Sequence, residues 1–225
     1  MQPARRRVRV WDLPVRLFHW ALAALMLASI VAVKLGGGWM DWHLGTGYAV
    51  LVLLVFRLLW GFAGSRYARF SSFAFGPRAV LGHLRGAADP PRTLGHSPLG
   101  SLSVWALLAA VGTVAVSGLF ATDEISYEGP WARAVSEATS LLLTAVHKQA
   151  EPVLYALIGL HLAAIAYYFL RGENLVRPMI TGDKPVEADW PAARDDTTLR
   201  LRALALLAVA AAVVWLAVAS GAPDG

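Results

Sequence analysis

Apolar residues in this chain do not alternate with polar ones; they run on in blocks. Five such stretches stand out, at about Leu17–Leu35, Leu44–Ala63, Leu99–Ala121, Val153–Leu170 and Ala203–Ser220. Each approaches the roughly 20 helical residues that a hydrocarbon core requires. The fourth extends back to Leu141, because Leu141, Leu142 and Leu143 are also apolar. Their interiors are Leu, Ala and Val without the two-residue alternation of a barrel strand, so they read as helices. Asp12 precedes Leu13 and Pro14, an N-cap with proline in the first turn, which starts the first helix before its apolar core. The pattern predicts an all-α integral membrane protein.

Composition agrees. Of 225 residues 57% are hydrophobic and 16% charged, far from the balance of a soluble domain. The first apolar run is longer than a signal-peptide core and has no small-residue cleavage site before Trp39, so it reads as a retained span. The chain has no cysteine, which excludes disulfides, thiolate metal sites and covalently attached c-type haem. The net charge of +5 is distributed as a membrane protein distributes it, so no nucleic-acid partner is expected. Arg5, Arg6, Arg7, Arg9 and Arg16 lie in the N-terminal tail, and Arg66, Arg69, Arg78, Arg85 and Arg92 lie between spans two and three. Arg171, Arg177, Lys184, Arg194, Arg200 and Arg202 lie between spans four and five. The Ala121–Ser140 loop instead holds Asp123, Glu124, Glu128 and Glu137 against Arg133 alone. The positive-inside rule therefore puts the N-terminus in the cytoplasm and, after five spans, the C-terminus in the periplasm of a bacterial inner membrane. Trp11, Trp39, Trp42 and Trp131 fall at the expected interfaces.

Six histidines then need a reading. His83 and His96 lie in the loop between spans two and three and are taken as solvated. His19, His43, His147 and His161 lie within or at the ends of apolar helices, where an ionisable residue is expensive and marks function. His147 and His161 are 14 residues apart, about 21 Å of helical rise and about 40° short of four whole turns. Both rings leave one helix on nearly the same face at two depths. His19 sits near the inner end of helix one and His43 near the outer end of helix two, so depth pairs His19 with His161 and His43 with His147. Two pairs suit two six-coordinate haem irons. A zinc site needs its ligands converging on one ion, which two separated levels do not provide.

Other residues fit the scheme. Gly45 and Gly47 follow His43 and leave a bare helix face, which suits a close porphyrin or ordinary helix packing. Arg57 lies 14 residues after His43, and Arg16 three before His19; each is placed to meet haem propionates or to snorkel to the interface. Lys148, beside His147, is a candidate for the same task on the outer side.

The segments WDLPVRLFHW (Trp11–Trp20), WHLGTGYAVLVLLVFRLLWG (Trp42–Gly61), GHSPLG (Gly95–Gly100) and SGLFATDEISYEGPW (Ser117–Trp131) carry a resemblance. With VHKQAEPVLYALIGLHLAAIAYYFLRGENLVRPMITG (Val146–Gly182), they resemble the prokaryotic cytochrome b561 family, which includes the cytochrome b subunits of nickel-iron hydrogenases. The resemblance covers roughly Arg9 to Lys184, and its most specific element is the histidine pair spaced by 14. It implies a four-helix bundle holding two haem b groups on His19, His43, His147 and His161. It divides the chain into a di-haem transmembrane domain, 1–184, and a cytoplasmic linker with an additional transmembrane helix, 185–225. It also implies electron exchange with ubiquinone or menaquinone and with a periplasmic or peripheral redox protein such as a c-type cytochrome, in a setting of membrane lipid. One branch of the family oxidises superoxide and reduces quinone. That alternative calls for a basic outer patch, whereas the outer loops here are acidic. A non-redox anchor or transporter is the third reading; its polar residues should line a path rather than form two paired levels.

Overall fold

The computed structural model describes residues 6–86, 94–187 and 189–221. In chain order the elements are β1 (Arg6–Arg9), α1 (Leu13–Leu35), α2 (Met40–Ala63), α3 (Pro77–Leu84) and α4 (Pro98–Gly118). There follow α5 (Glu137–Leu170), α6 (Val176–Thr181), β2 (Asp183–Val186) and α7 (Thr197–Gly221). Among the described residues five helices are long and apolar enough to cross a membrane: α1, α2 with the short turn before it, α4, α5 and α7. The protein is an all-α membrane helical bundle with a fifth spanning helix. Large apolar side chains such as Leu27, Phe62, Leu142, Leu160, Leu170 and Trp215 stay exposed on these helices, the surface that lipid tails cover.

The helices differ from the apolar stretches at their ends. α4 stops at Gly118, not Ala121, because the chain turns back on itself: Gly129 N donates to Ala121 O (2.7 Å) and Trp131 N to Leu119 O (2.8 Å). α5 starts at Glu137 and runs for 34 residues, about 51 Å, so it outruns the hydrocarbon core. Arg5 and Arg92 of the basic segments, and the C-terminal Gly225, lie outside the described residues.

The chain forms two compact units. The second comprises His19–Phe56, Leu107–Ile158 and Leu206–Gly225. Its core is Val50, Leu54, Val111 and Leu154, packed by Leu22, Leu25, Met26, Leu107, Leu108, Val114 and Ile158. Four helices thus each give one apolar stripe to a common centre. Trp131 Nε1 donates to Ala217 O at 2.8 Å, tying α7 to the loop before α5.

The first unit comprises Met1–Phe18, Arg57–Ala106 and Gly159–Ala205. Here β1 pairs antiparallel with β2, Arg6 opposite Val186 and Arg9 opposite Asp183. Nothing in the hydrophobic pattern marks this sheet, since two four-residue strands, RRVR and DKPV, are too short and polar to show alternation. Ion pairs hold it: Arg9 Nε meets Asp183 Oδ1 and Arg9 Nη1 meets Asp195 Oδ2, both at 2.6 Å. Gly182, at φ 90°, makes the turn into β2; a Cβ there would lie 2.7 Å from Trp11 O. The expected N-cap of α1 is present, with Val15 N donating to Asp12 Oδ1 at 2.7 Å.

Candidate functional site

His43 opens the first turns of α2, and His147 lies a third of the way along α5. Their rings stand 6.1 Å apart, centroid to centroid, with planes at 84°. Two imidazoles bound on opposite sides of one iron, with metal–nitrogen bonds of about 2 Å, place their centroids roughly 6 Å apart. The separation fits. The other ring nitrogens are already committed: His43 Nδ1 is 2.9 Å from Ser29 Oγ and 3.1 Å from Ser29 O, and His147 Nδ1 is 2.8 Å from Val114 O. A carbonyl accepting from Nδ1–H fixes the tautomer and leaves the Nε2 lone pair for a metal. Ser29, Val114 and Gly118 were not singled out from the sequence. A Cβ on Gly118 would come within 3.0 Å of the His147 ring, so this glycine makes room for the imidazole. Only the glycine at the end of an apolar helix hinted at it.

A Cβ on Gly45 or Gly47 would meet nothing within 4 Å, so α2 has open space beside His43, as a flat ring needs. Lys148 is exposed. His19 lies in α1 within the second unit, its ring 5.0 Å from that of Trp20, edge to face. His161 follows His147 by 14 residues on α5 and belongs to the first unit. Arg16 is engaged: Nη1 donates to Ile180 O at 2.6 Å and Nη2 lies 3.5 Å from Asp195.

Arg57 is only 5% exposed, so it does not snorkel. Its guanidinium packs over Phe70 at 4.9 Å and Phe73 at 5.9 Å, and Nη1 is buried without an acceptor. His96 corrects the sequence expectation. It is not a solvated loop residue: its ring lies between Trp11 (4.8 Å) and Phe73 (4.5 Å), with Nδ1 sealed from solvent and unbonded. Burial, helped by the charges of Arg57 and Lys184, holds its pKa down at about 3, so the imidazole is neutral. The loop is shaped by Ser97, whose Oγ accepts from Gly100 N at 3.1 Å and caps α4 ahead of Pro98. Lys184 Nζ donates to Leu94 O at 2.8 Å and braces the same loop. His83 is half-buried on α3.

Asp12 is fully buried, its oxygens bound by Val15 N and by Trp60 Nε1 at 3.2 Å; burial pushes its carboxyl above the usual range. Asp195 shows the opposite balance. Burial raises it, but the hydrogen bond and charge of Arg200, with Arg9 beside it, bring it below the ordinary value. In the loop after α4, Asp123 Oδ1 accepts from the backbone of Ile125, Ser126 and Tyr127 at 2.8–2.9 Å, which holds its pKa low. Compared with known proteins, residues 10–182 match the family described as prokaryotic cytochrome b561. No curated relative matches the chain.

Proposed function

The chain belongs to the prokaryotic cytochrome b561 family, and from that premise we propose that it binds two b haems on four histidines and passes electrons between the quinone pool and a separate redox protein. Membership makes it a multi-pass membrane b-type cytochrome of electron transfer. The observation that carries the finer reading is the His43–His147 pair, 6.1 Å apart with both Nδ1 atoms committed elsewhere. His19 and His161 form the second pair, on the sequence argument of matching depth.

A b haem held by such a pair supplies one-electron chemistry with no bond made or broken in the protein. The chain's own residues bind and orient. Ser29 O and the Val114 carbonyl accept at Nδ1 and aim the imidazoles, while Gly47 leaves room for the ring. Arg57, Arg16 and Lys148 offer positive charge to propionates. The helical rise of about 21 Å between His147 and His161 lets two carriers bridge much of the membrane. The quinone, ubiquinone or menaquinone, arrives through the lipid. The acidic loop around Asp123 suits a basic docking partner such as a c-type cytochrome. The distribution of Lys and Arg supports a bacterial inner-membrane setting with the N-terminus cytoplasmic and the C-terminus periplasmic.

Two measurements test this. A pyridine haemochrome assay is expected to give two b haems per chain; one or none rejects the di-haem reading. Anaerobic mixing with ubiquinol and, separately, menaquinol analogues should reduce both haems, as followed in the α-band. Reduction by superoxide but by neither quinol would favour the superoxide-oxidising alternative.

A further inference from the structure

We propose that Arg57 and His96 form a carboxylate seat for a propionate of the haem held by His161. The inference rests on the functional reading above and assigns a role to a loop histidine that lies outside every span.

The seat is built from two directions. Arg57 comes from the inner part of α2, 95% buried, and presents Nη1 without an acceptor. His96 comes from the loop before α4 and presents a sealed Nδ1, also without a partner. Both flank one ring, Phe73: the guanidinium is 5.9 Å from its centroid and the imidazole 4.5 Å. Phe70 and Trp11 complete an apolar wall. A guanidinium is never neutral in a protein, and a buried cation lacking a hydrogen-bonded anion is strongly disfavoured.

Asp12 does not supply that anion directly. It attracts Arg57 through space, but its oxygens are occupied by Val15 N and Trp60 Nε1. What the seat lacks is an oxygen acceptor that carries charge. A carboxylate satisfies both nitrogens, taking a charge-assisted bond from Arg57 and a second from a neutral His96 bearing its proton on Nδ1. A quinone carbonyl also accepts hydrogen bonds but leaves the guanidinium charge unbalanced. His161 belongs to the same compact unit as Arg57 and His96, and a haem carries its own carboxylates. Ser97 and Lys184 fix the His96 loop before any cofactor arrives, so the seat is a positioning device.

The test is redox titration of the haem-loaded full-length protein in lipid nanodiscs. Arg57 favours the reduced haem, which has one positive charge fewer. Arg57→Gln should therefore lower one of the two midpoints by about tenfold in the oxidised-to-reduced ratio, about 59 mV for one electron, and leave the other alone. His96→Leu should move the same midpoint by less, and Arg57→Lys should restore most of the loss. In both damaging variants that midpoint should also become pH-dependent between pH 6 and 8, as the propionate begins to take up a proton. If Arg57→Gln does not accumulate, wild-type apoprotein reconstituted with haem b dimethyl ester should show a raised midpoint at this haem, since the ester removes the carboxylate charge while Arg57 keeps its own. Full haem content with both midpoints unmoved, in the variants or with the ester, overturns the seat. Unmoved midpoints with slowed reduction by quinol would assign the oxygen to quinone instead, and also overturn it. A wild-type chain without haem would sink the functional reading and the seat together; unmoved midpoints sink the seat alone.

Discussion

The two compact units solve different problems with the same chain. The second is apolar at its centre, Val50 against Val111 and Leu154, with its polar contacts at two histidines, at the acidic turn and in short pairs such as Lys34–Glu151. The first is held by long-range charge: Arg9, Arg16 and Arg200 converge on Asp195, and Lys184 reaches the Leu94 carbonyl. In lipid, apolar contact alone gives little drive to associate, so helices rely on fit and on a few placed polar groups. Near water, charge pairs are affordable in number and fold the segments between spans. The difference is between a unit held by apolar fit, which carries His43 and His147, and one held by charge, which carries Arg57, His96 and His161.

The largest effect should come from the four histidines proposed as ligands. His43→Ala and His147→Ala are each expected to reduce the haem content from two to one per chain, and the double variant should lose no more than either. His19→Ala and His161→Ala should remove the other haem. A His19 phenotype matching that of His43 in redox titration would break the pairing.

Next is the polar anchor of the first unit. Asp12→Ala strips the acceptor from Val15 N and from Trp60 Nε1, whose side chain is fully buried. A lost cap together with a buried unsatisfied donor costs about 3 kcal/mol. Thermal unfolding in detergent should show it; stability equal to wild type would mean that other contacts, not the cap, fix α1.

A smaller effect follows pH. Because His96 is held at about 3 against an ordinary 6.5, the unfolded chain takes this proton first as the pH falls. The residue's contribution is fully present above about pH 6.5 and lost below it, by about 1.4 kcal/mol per pH unit. His96→Leu should flatten the stability profile between pH 6.5 and 5 relative to wild type. Parallel profiles would place His96 in water after all.

Much of this was legible in the sequence because hydropathy is a local property. The spans, the N-cap at Asp12 and the four membrane histidines each announce themselves within a few residues. What escaped depends on partners far along the chain. The imidazole of His96 reads as a loop residue until Trp11, 85 positions earlier, and Phe73 close over it. Ser29 is an unremarkable helix serine until His43 arrives from the next helix. The β1–β2 pair joins residues 180 positions apart at Arg6 and Val186, and neither strand carries a period to read. Loop ends were missed for a related reason: Ala121 is apolar enough to extend α4, but its carbonyl is claimed by Gly129 N.

The smallest effect tests whether the second unit owns the additional helix. Trp131 Nε1 donates to Ala217 O on α7, and the same carbonyl also accepts from Ser220 Oγ at 2.9 Å. Trp131→Phe keeps most of the ring but removes one donor, and Ser220 still satisfies the carbonyl, so the loss should be only about 1 kcal/mol. Gly221→Ala should cost more, because its Cβ would fall 1.9 Å from Trp131 Cδ1 and 2.5 Å from Pro130 O, forcing the loop or the helix end to move. Limited proteolysis between α6 and α7 in detergent, with thermal unfolding beside it, measures both. If α7 is anchored by this loop, Gly221→Ala should exceed Trp131→Phe in lost stability while the haem content stays at two. Equal and negligible effects would mean that contacts other than this loop hold α7 in place, and that the unit holding His43 and His147 does not depend on the Trp131 anchor.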